Sequence, residues 1–200
     1  MYEEQALDGS GEPWAPGVGR VIGVHAAPAL IARVGIRGGF GDPPHLVLSG
    51  INDGQNTGHA VLHSGTVGAA LTAATHGCRA VAVSLAGGKH LDTATAVARG
   101  VIERALDAPP PLVVNVNVPD VPPEDLRGVR RAPLARFGAV QTHVTEPSEG
   151  YVEVSFSDVD PHAEPGSDAA LLADGWATVT PLSPVCEADS VDVDPLLPTA

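Results

Sequence analysis

The sequence predicts an α/β protein with a doubly wound, mostly parallel sheet and a β-hairpin excursion in its C-terminal half. Three short apolar runs rich in small and β-branched residues, Leu46–Ser49, Ala80–Leu85 and Leu112–Val118, read as buried strands. Between them lie an Ala-rich run from Ser64 to Gly77 and a 3.6-period run from Asp92 or Thr93 to about Asp107, both read as helices. Strands alternating with helices predict parallel pairing. A length of 200 residues suits one domain, and a hydrophobic content of 44% is enough for a sizeable core.

In chain order, residues 1–20 are rich in Gly and Pro and read as a disordered lead-in. The segment from Gly17 to Gly23 superficially resembles a dinucleotide loop, but its glycines precede an apolar run instead of opening a helix, so it reads as a plain loop. Val21–Val24 is a short strand, Pro28–Val34 a helix start with Pro in its first turn, and Gly35–Pro44 a loop. Ser64 is a good N-cap for the central helix. On the next helix Ala94, Val97, Ala98, Val101, Ile102 and Ala105 share one face, and Pro109-Pro110-Pro111 ends it.

From Pro119 the rhythm changes. Val129–Ala135 and Tyr151–Phe156 read as strands, with a polar segment between them that forms a long hairpin or an exposed arm. A short helix, Ala169–Ala173, and a late strand, Ala177–Leu182, follow. The domain is thus expected over residues 21–183, with an acidic tail over 184–200.

Composition removes several function classes. A formal net charge of −13 argues against nucleic-acid polymers and anionic membranes as partners, and 4% aromatic residues leave little for stacking on single strands. No apolar run approaches the roughly 18 residues of a membrane helix. The acidic N-terminus lacks the apolar stretch of a signal peptide. Cys78 and Cys186 fit neither a zinc pattern nor a redox pair, which points to a reduced, cytoplasmic protein. A small phosphorylated substrate remains compatible, since local N–H groups can hold it against a hostile global field.

The stretch Leu46–Gly77, LVLSGINDGQNTGHAVLHSGTVGAALTAATHG, is the centre of the chain: a strand, a polar loop and a helix start in succession. Ligands of open α/β sheets lie at the carboxyl ends of strands, where Asn52 is expected, and helix N-termini attract anions. Amide and carboxylate oxygens of this loop can bind a hard cation such as Mg²⁺ or Mn²⁺. The helix N–H groups and the Ser64 and Thr66 hydroxyls can hold phosphate oxygens. His63, next to the helix start, can accept or relay a proton. The same residues also suit plain turns and a simple cap, and spacing alone leaves both readings open. His25, His45, His76 and His90 are scattered, and Asp158, Asp160 and His162 lack the ligand pattern and central Gly of an EF-hand.

Taken together, SGINDGQNTGHAVLHSGTVGAALTAATHG followed by AVAVSL closely resembles the SurE family of metal-dependent nucleotide phosphatases. LVVNVNVPDVP and GSDAALLADGWATVTPL resemble further family segments, and the likeness spans roughly residues 45–183. The resemblance implies an α/β enzyme that hydrolyses nucleoside 5′- and 3′-monophosphates with a divalent cation, Mg²⁺ or Mn²⁺, and assembles as a homodimer or homotetramer. By position in the motifs it implies Asn52 as a metal ligand, and Asn56, Ser64, Gly65 and Thr66 as the phosphate-binding lining. His63 stands where many members have Tyr.

Departures from the family pattern are equally specific. Members begin with a strand ending in two adjacent metal-binding aspartates, one the nucleophile or base, and this chain has no Asp-Asp pair. A further Ser ligand also lacks a counterpart. The resemblance therefore implies a SurE-like sheet lacking its first strand and helix, with an exposed edge and apolar surface. Either a start upstream of Met1 or a shortened relative accounts for this. The expectation is a nucleotidase weak or inactive as the isolated chain, with a non-catalytic nucleotide-binding protein or partner subunit as the alternative.

Overall fold

The computed structural model describes residues 2–3, 21–136, 140–148, 151–158 and 160–185. A two-residue ladder pairs β1 (Tyr2–Glu3) with β2 (Gly23–Val24), and α1 follows over Pro28–Ile36, with Pro28 at its start. The main sheet comprises β3 (Leu46–Asp53), β4 (Arg79–Ala86), β5 (Leu112–Pro119), β6 (Val129–Arg131) and β9 (Ala177–Pro181). Helices α2 (Gly65–Thr75) and α3 (Leu91–Asp107) are the crossovers between β3, β4 and β5. A hairpin of β7 (Val140–Ser148) and β8 (Tyr151–Asp158) and the short helix α4 (Asp168–Ala173) precede β9.

The sheet order is β3-β4-β5-β9-β6. The expected parallel core holds for β3, β4 and β5, and β6 is parallel to β9, but β9 runs antiparallel to β5. The hairpin reading between residues 140 and 158 is also met, with Val140 opposite Asp158. Boundaries moved more. The strand expected over Val129–Ala135 stops at Arg131, because Pro133 brings no N–H to a ladder. Helix α3 begins at Leu91, not Asp92 or Thr93. Of the lead-in and the acidic tail, only Tyr2, Glu3, Pro184 and Val185 fall within the described residues.

Alternation along the strands sorts the core into two layers. Val81, Val83 and Leu85 of β4 and Val114, Val116 and Val118 of β5 pack against Ala94, Val97, Ala98 and Ala105 of α3. Ala80 and Ala82 of β4 and Val113 of β5 face the other way, against Val67, Ala70, Ala73 and Ala74 of α2. Small residues on both surfaces let α2 come close to the sheet. Among the described residues β3 is an edge strand, paired only with β4, and Leu48 is 53% exposed on it. Among the described residues, the expected open edge is present. No helix among the described residues is long and apolar enough to cross a membrane.

Candidate active site

The face of the sheet toward α2 changes character along its length. Where Ala80, Ala82 and Val113 meet α2 it is apolar. Two residues further toward the carboxyl ends, the positions in phase become Ser84, Asn115 and Asn117, all fully buried. Buried amides need partners, and these find them in the loop after β3. The Asn56 amide N–H donates to Asn117 Oδ1 at 2.7 Å, and the Asn56 carbonyl accepts from Asn115 Nδ2 at 2.8 Å and Asn117 Nδ2 at 3.0 Å. The Asn56 side chain in turn donates to Ser84 Oγ at 2.6 Å. Asn56 thus has its backbone held by β5 and its side chain by β4.

Asn52 reaches this face through an irregularity in β3. Ser49 pairs with Ala82 and Asn52 with Ser84, so β3 carries one residue more than β4 over that step. A bulge of one residue moves every later side chain to the opposite face of a strand. Leu46 and Leu48 are in phase with Arg79 and Val81, whereas Asn52, of the same parity, is in phase with Ser84 on the α2 side. Sequence reading ended the strand at Ser49; the structure carries it to Asp53 across Gly50. Gly50, at φ +121°, is where an alanine Cβ would collide with the Val83 carbonyl.

At the far end of the loop, Ser64 caps α2 as expected, its Oγ accepting from the Val67 N–H at 3.2 Å. Thr66 Oγ1 lies 3.4 Å from Asn52 Oδ1, so the carboxamide on the sheet and the first turn of α2 meet. Asn52 Nδ2 is spent on the Gly54 carbonyl at 2.7 Å, which leaves the amide oxygen directed to the helix start. Asn52, Asn56, Ser64 and Thr66 are half-buried around this point, and Gly65 is exposed beside it. His63 is exposed at the end of a 3-10 turn over Gly58–His63 that joins the loop to α2. Three further oxygens on the same side, Thr57 Oγ1, Asn115 Oδ1 and Thr178 Oγ1, are buried without a hydrogen-bond partner among the described residues.

The donor set bears on whether a divalent cation fits. Hard cations favour carboxylates. Asp53 lies against Gly88, where an added Cβ would stand 2.8 Å from its Oδ1. Asp120 accepts the N–H groups of Lys89 and His90 ahead of α3. Among the described residues no group of three or more His, Cys, Asp or Glu side chains could hold a metal ion. One neutral amide oxygen does not fit a tightly held Mg²⁺ or Mn²⁺. The residues present, hydroxyls and helix-terminal N–H groups, are instead of the kind that suits an anion cradle.

Sequence reading placed Asn52, Asn56, Ser64, Gly65 and Thr66 in one site; the structure brings Asn52 to Thr66 at the Ser64-capped start of α2, while Asn56 is bonded to Ser84, Asn115 and Asn117. Sequence reading missed Ser84, Asn115 and Asn117. The signal was there in LVVNVNV and AVAVSL, since a polar residue at every second position of an otherwise apolar strand marks a buried polar face.

An open α/β sheet with a polar loop and a helix start converging at its carboxyl edge is an arrangement suited to receiving an anion. The chain belongs to the SurE family: residues 10–141 match the family model described as survival protein SurE. A relative from Methylococcus capsulatus named 5′-nucleotidase SurE is 38% identical in an alignment of 168 residues that covers 80% of this chain and 67% of that protein. A protein of the same name from Stutzerimonas stutzeri is 34% identical over 169 residues, covering 80% and 68%. Among solved structures, the SurE protein from Aquifex aeolicus superposes with a TM-score of 0.68 at 26% identity, over 80% of this chain and 68% of that one.

Proposed function

We propose that this protein is a SurE-type phosphoric monoester hydrolase that converts nucleoside 5′-monophosphates, and 3′-monophosphates, to nucleoside and phosphate. The observation that carries the reading is the meeting of Asn52 and Thr66 at the capped start of α2. An anion at that point is favoured by the helix dipole and by free N–H groups of the first turn. Ser64 and Thr66 hydroxyls and the Gly65 backbone would hold the phosphate oxygens, and Asn56 would shape the floor through its bonds to β4 and β5. The curated relatives, named as 5′-nucleotidases, favour hydrolysis over binding alone.

The described residues bring no carboxylate to the cradle, so no nucleophile or base is assigned among them. His63 could offer only proton relay from an exposed position. The 200-residue chain is expected to bind a nucleoside monophosphate and to turn it over weakly. Thermal unfolding with AMP and a phosphate-release assay with Mn²⁺ separate the outcomes. A concentration-dependent rise in Tm with little phosphate released is the expected result. Robust turnover that Asn52→Ala abolishes would overturn the weak-turnover expectation, and the absence of both stabilisation and turnover would overturn the function.

We place the protein in the cytoplasm, on the two unpaired-by-pattern cysteines, as a homodimer or homotetramer. Light scattering coupled to size exclusion checks the assembly: a mass near 20.3 kDa, that of one chain, would rule it out.

A further inference from the structure

Asp168 is fully buried at the first position of α4, with no cation beside it among the described residues. A buried carboxylate is costly unless hydrogen bonds repay it. Here three backbone N–H groups do so: Oδ1 accepts from Ala135 and Ala169, and Oδ2 from Gly58, each at 2.9 Å. Burial still raises its pKa above the ordinary carboxylate value, with those N–H groups pulling it part of the way back. Capping of α4 does not explain the residue, because Ser167 already supplies the cap through its bond from Ala170 N–H at 3.2 Å. Two of the three bonds reach far along the chain, to Gly58 and Ala135.

Gly58 is the first residue of the 3-10 turn that runs to His63 and hands the chain to Ser64. Two residues before it, Asn56 is already pinned by Asn115 and Asn117. The amides of β5 fix one end of the segment 56–58, and the Asp168 carboxylate fixes the other. What lies between Gly58 and Ser64 is a single exposed turn with only Gly58 and Val61 buried, so its position depends on these anchors. We propose that Asp168 is a positioning residue for the phosphate cradle: its Oδ2 bond to Gly58 N–H sets where Ser64, Gly65 and Thr66 stand relative to Asn52 and Asn56. This rests on the cradle being the substrate site.

Asp168→Asn tests the one bond that matters. With its oxygen in the Oδ1 place, the amide keeps the bonds from Ala135 and Ala169 and turns an NH₂ against the Gly58 N–H. Amide hydrogen exchange should quicken about tenfold over residues 57–64 while β4, β5 and α3 keep their protection. The dissociation constant for AMP should rise by about tenfold in the same variant. Asp168→Ser, whose hydroxyl is too short to reach Gly58, repeats the test with a different side chain. Unchanged exchange in the loop, a uniform loss of protection across the sheet, or failure of both variants to fold would each overturn the assignment. If the unaltered chain binds no AMP, the function fails on its own, and the exchange measurement still decides the role of Asp168.

Discussion

Asn117→Asp is expected to destabilise the protein by about 3–5 kcal/mol at neutral pH, the usual cost of an uncompensated charge in a buried network. Asn117 is fully buried and gives and takes one bond each with the backbone of Asn56. The aspartate retains the acceptor for the Asn56 N–H but sets a second charged oxygen against the Asn56 carbonyl. The sign of the pH dependence follows. Burial raises the introduced carboxyl's pKa in the folded state above its unfolded value, so stability is lost as pH rises through the folded value and recovered as pH falls. Protonated, the group can again donate to the Asn56 carbonyl. Urea unfolding of the variant at pH 7.5 and pH 5 reads both effects, and a variant as stable as the parent at pH 7.5 would contradict the network.

Gly50→Ala is expected to cost roughly 2–6 kcal/mol, combining an unfavourable backbone region with overpacking. At φ +121° an L-residue is strained, and the added Cβ would run into the Val83 carbonyl. Relief requires β3 to move off β4, and that movement falls at the bulge that turns Asn52 toward α2. Stability and nucleotide binding should therefore fall together. Gly41→Ala, at another positive φ but with open space around the site of the Cβ, is the comparison: it carries the backbone strain alone. Thermal unfolding of both variants, with and without AMP, checks the difference. Equal losses in the two would mean that the close approach to Val83 does not matter.

Much of this was legible in the residues. Strands β4 and β5 follow from short apolar runs of small and β-branched residues and helix α3 from its 3.6-residue period, and the apolar positions of each share layers in the structure. Ser64 was legible as a cap because a hydroxyl before a small-residue run has one obvious use. The course of β3 was not. Gly50 suggests a strand end by local rules, whereas the ladder to β4 continues across it and only changes phase. Nor was the direction of β9, because antiparallel and parallel strands of five residues carry the same apolar pattern. Asp168 stands just ahead of the short helix expected over Ala169–Ala173, and two of its partners lie 110 and 33 residues away; no spacing rule reaches that far.

The open side of β3 has a colloidal consequence. Among the described residues the outer side of β3 pairs with no strand, and with Leu48 exposed on it this is a surface on which a second chain could add a strand. The fold offers little local protection there, for Leu46–Asp53 contains one charged residue, at its last position. Protection comes from the molecule as a whole: a formal charge of −13 on 200 residues adds a long-range repulsion that unspecific edge-to-edge pairing must overcome, without a complementary interface to offset it. The acidity that disfavours polyanionic partners thus also opposes chance contact at that edge, and it does so only while salt is low enough for the repulsion to be felt.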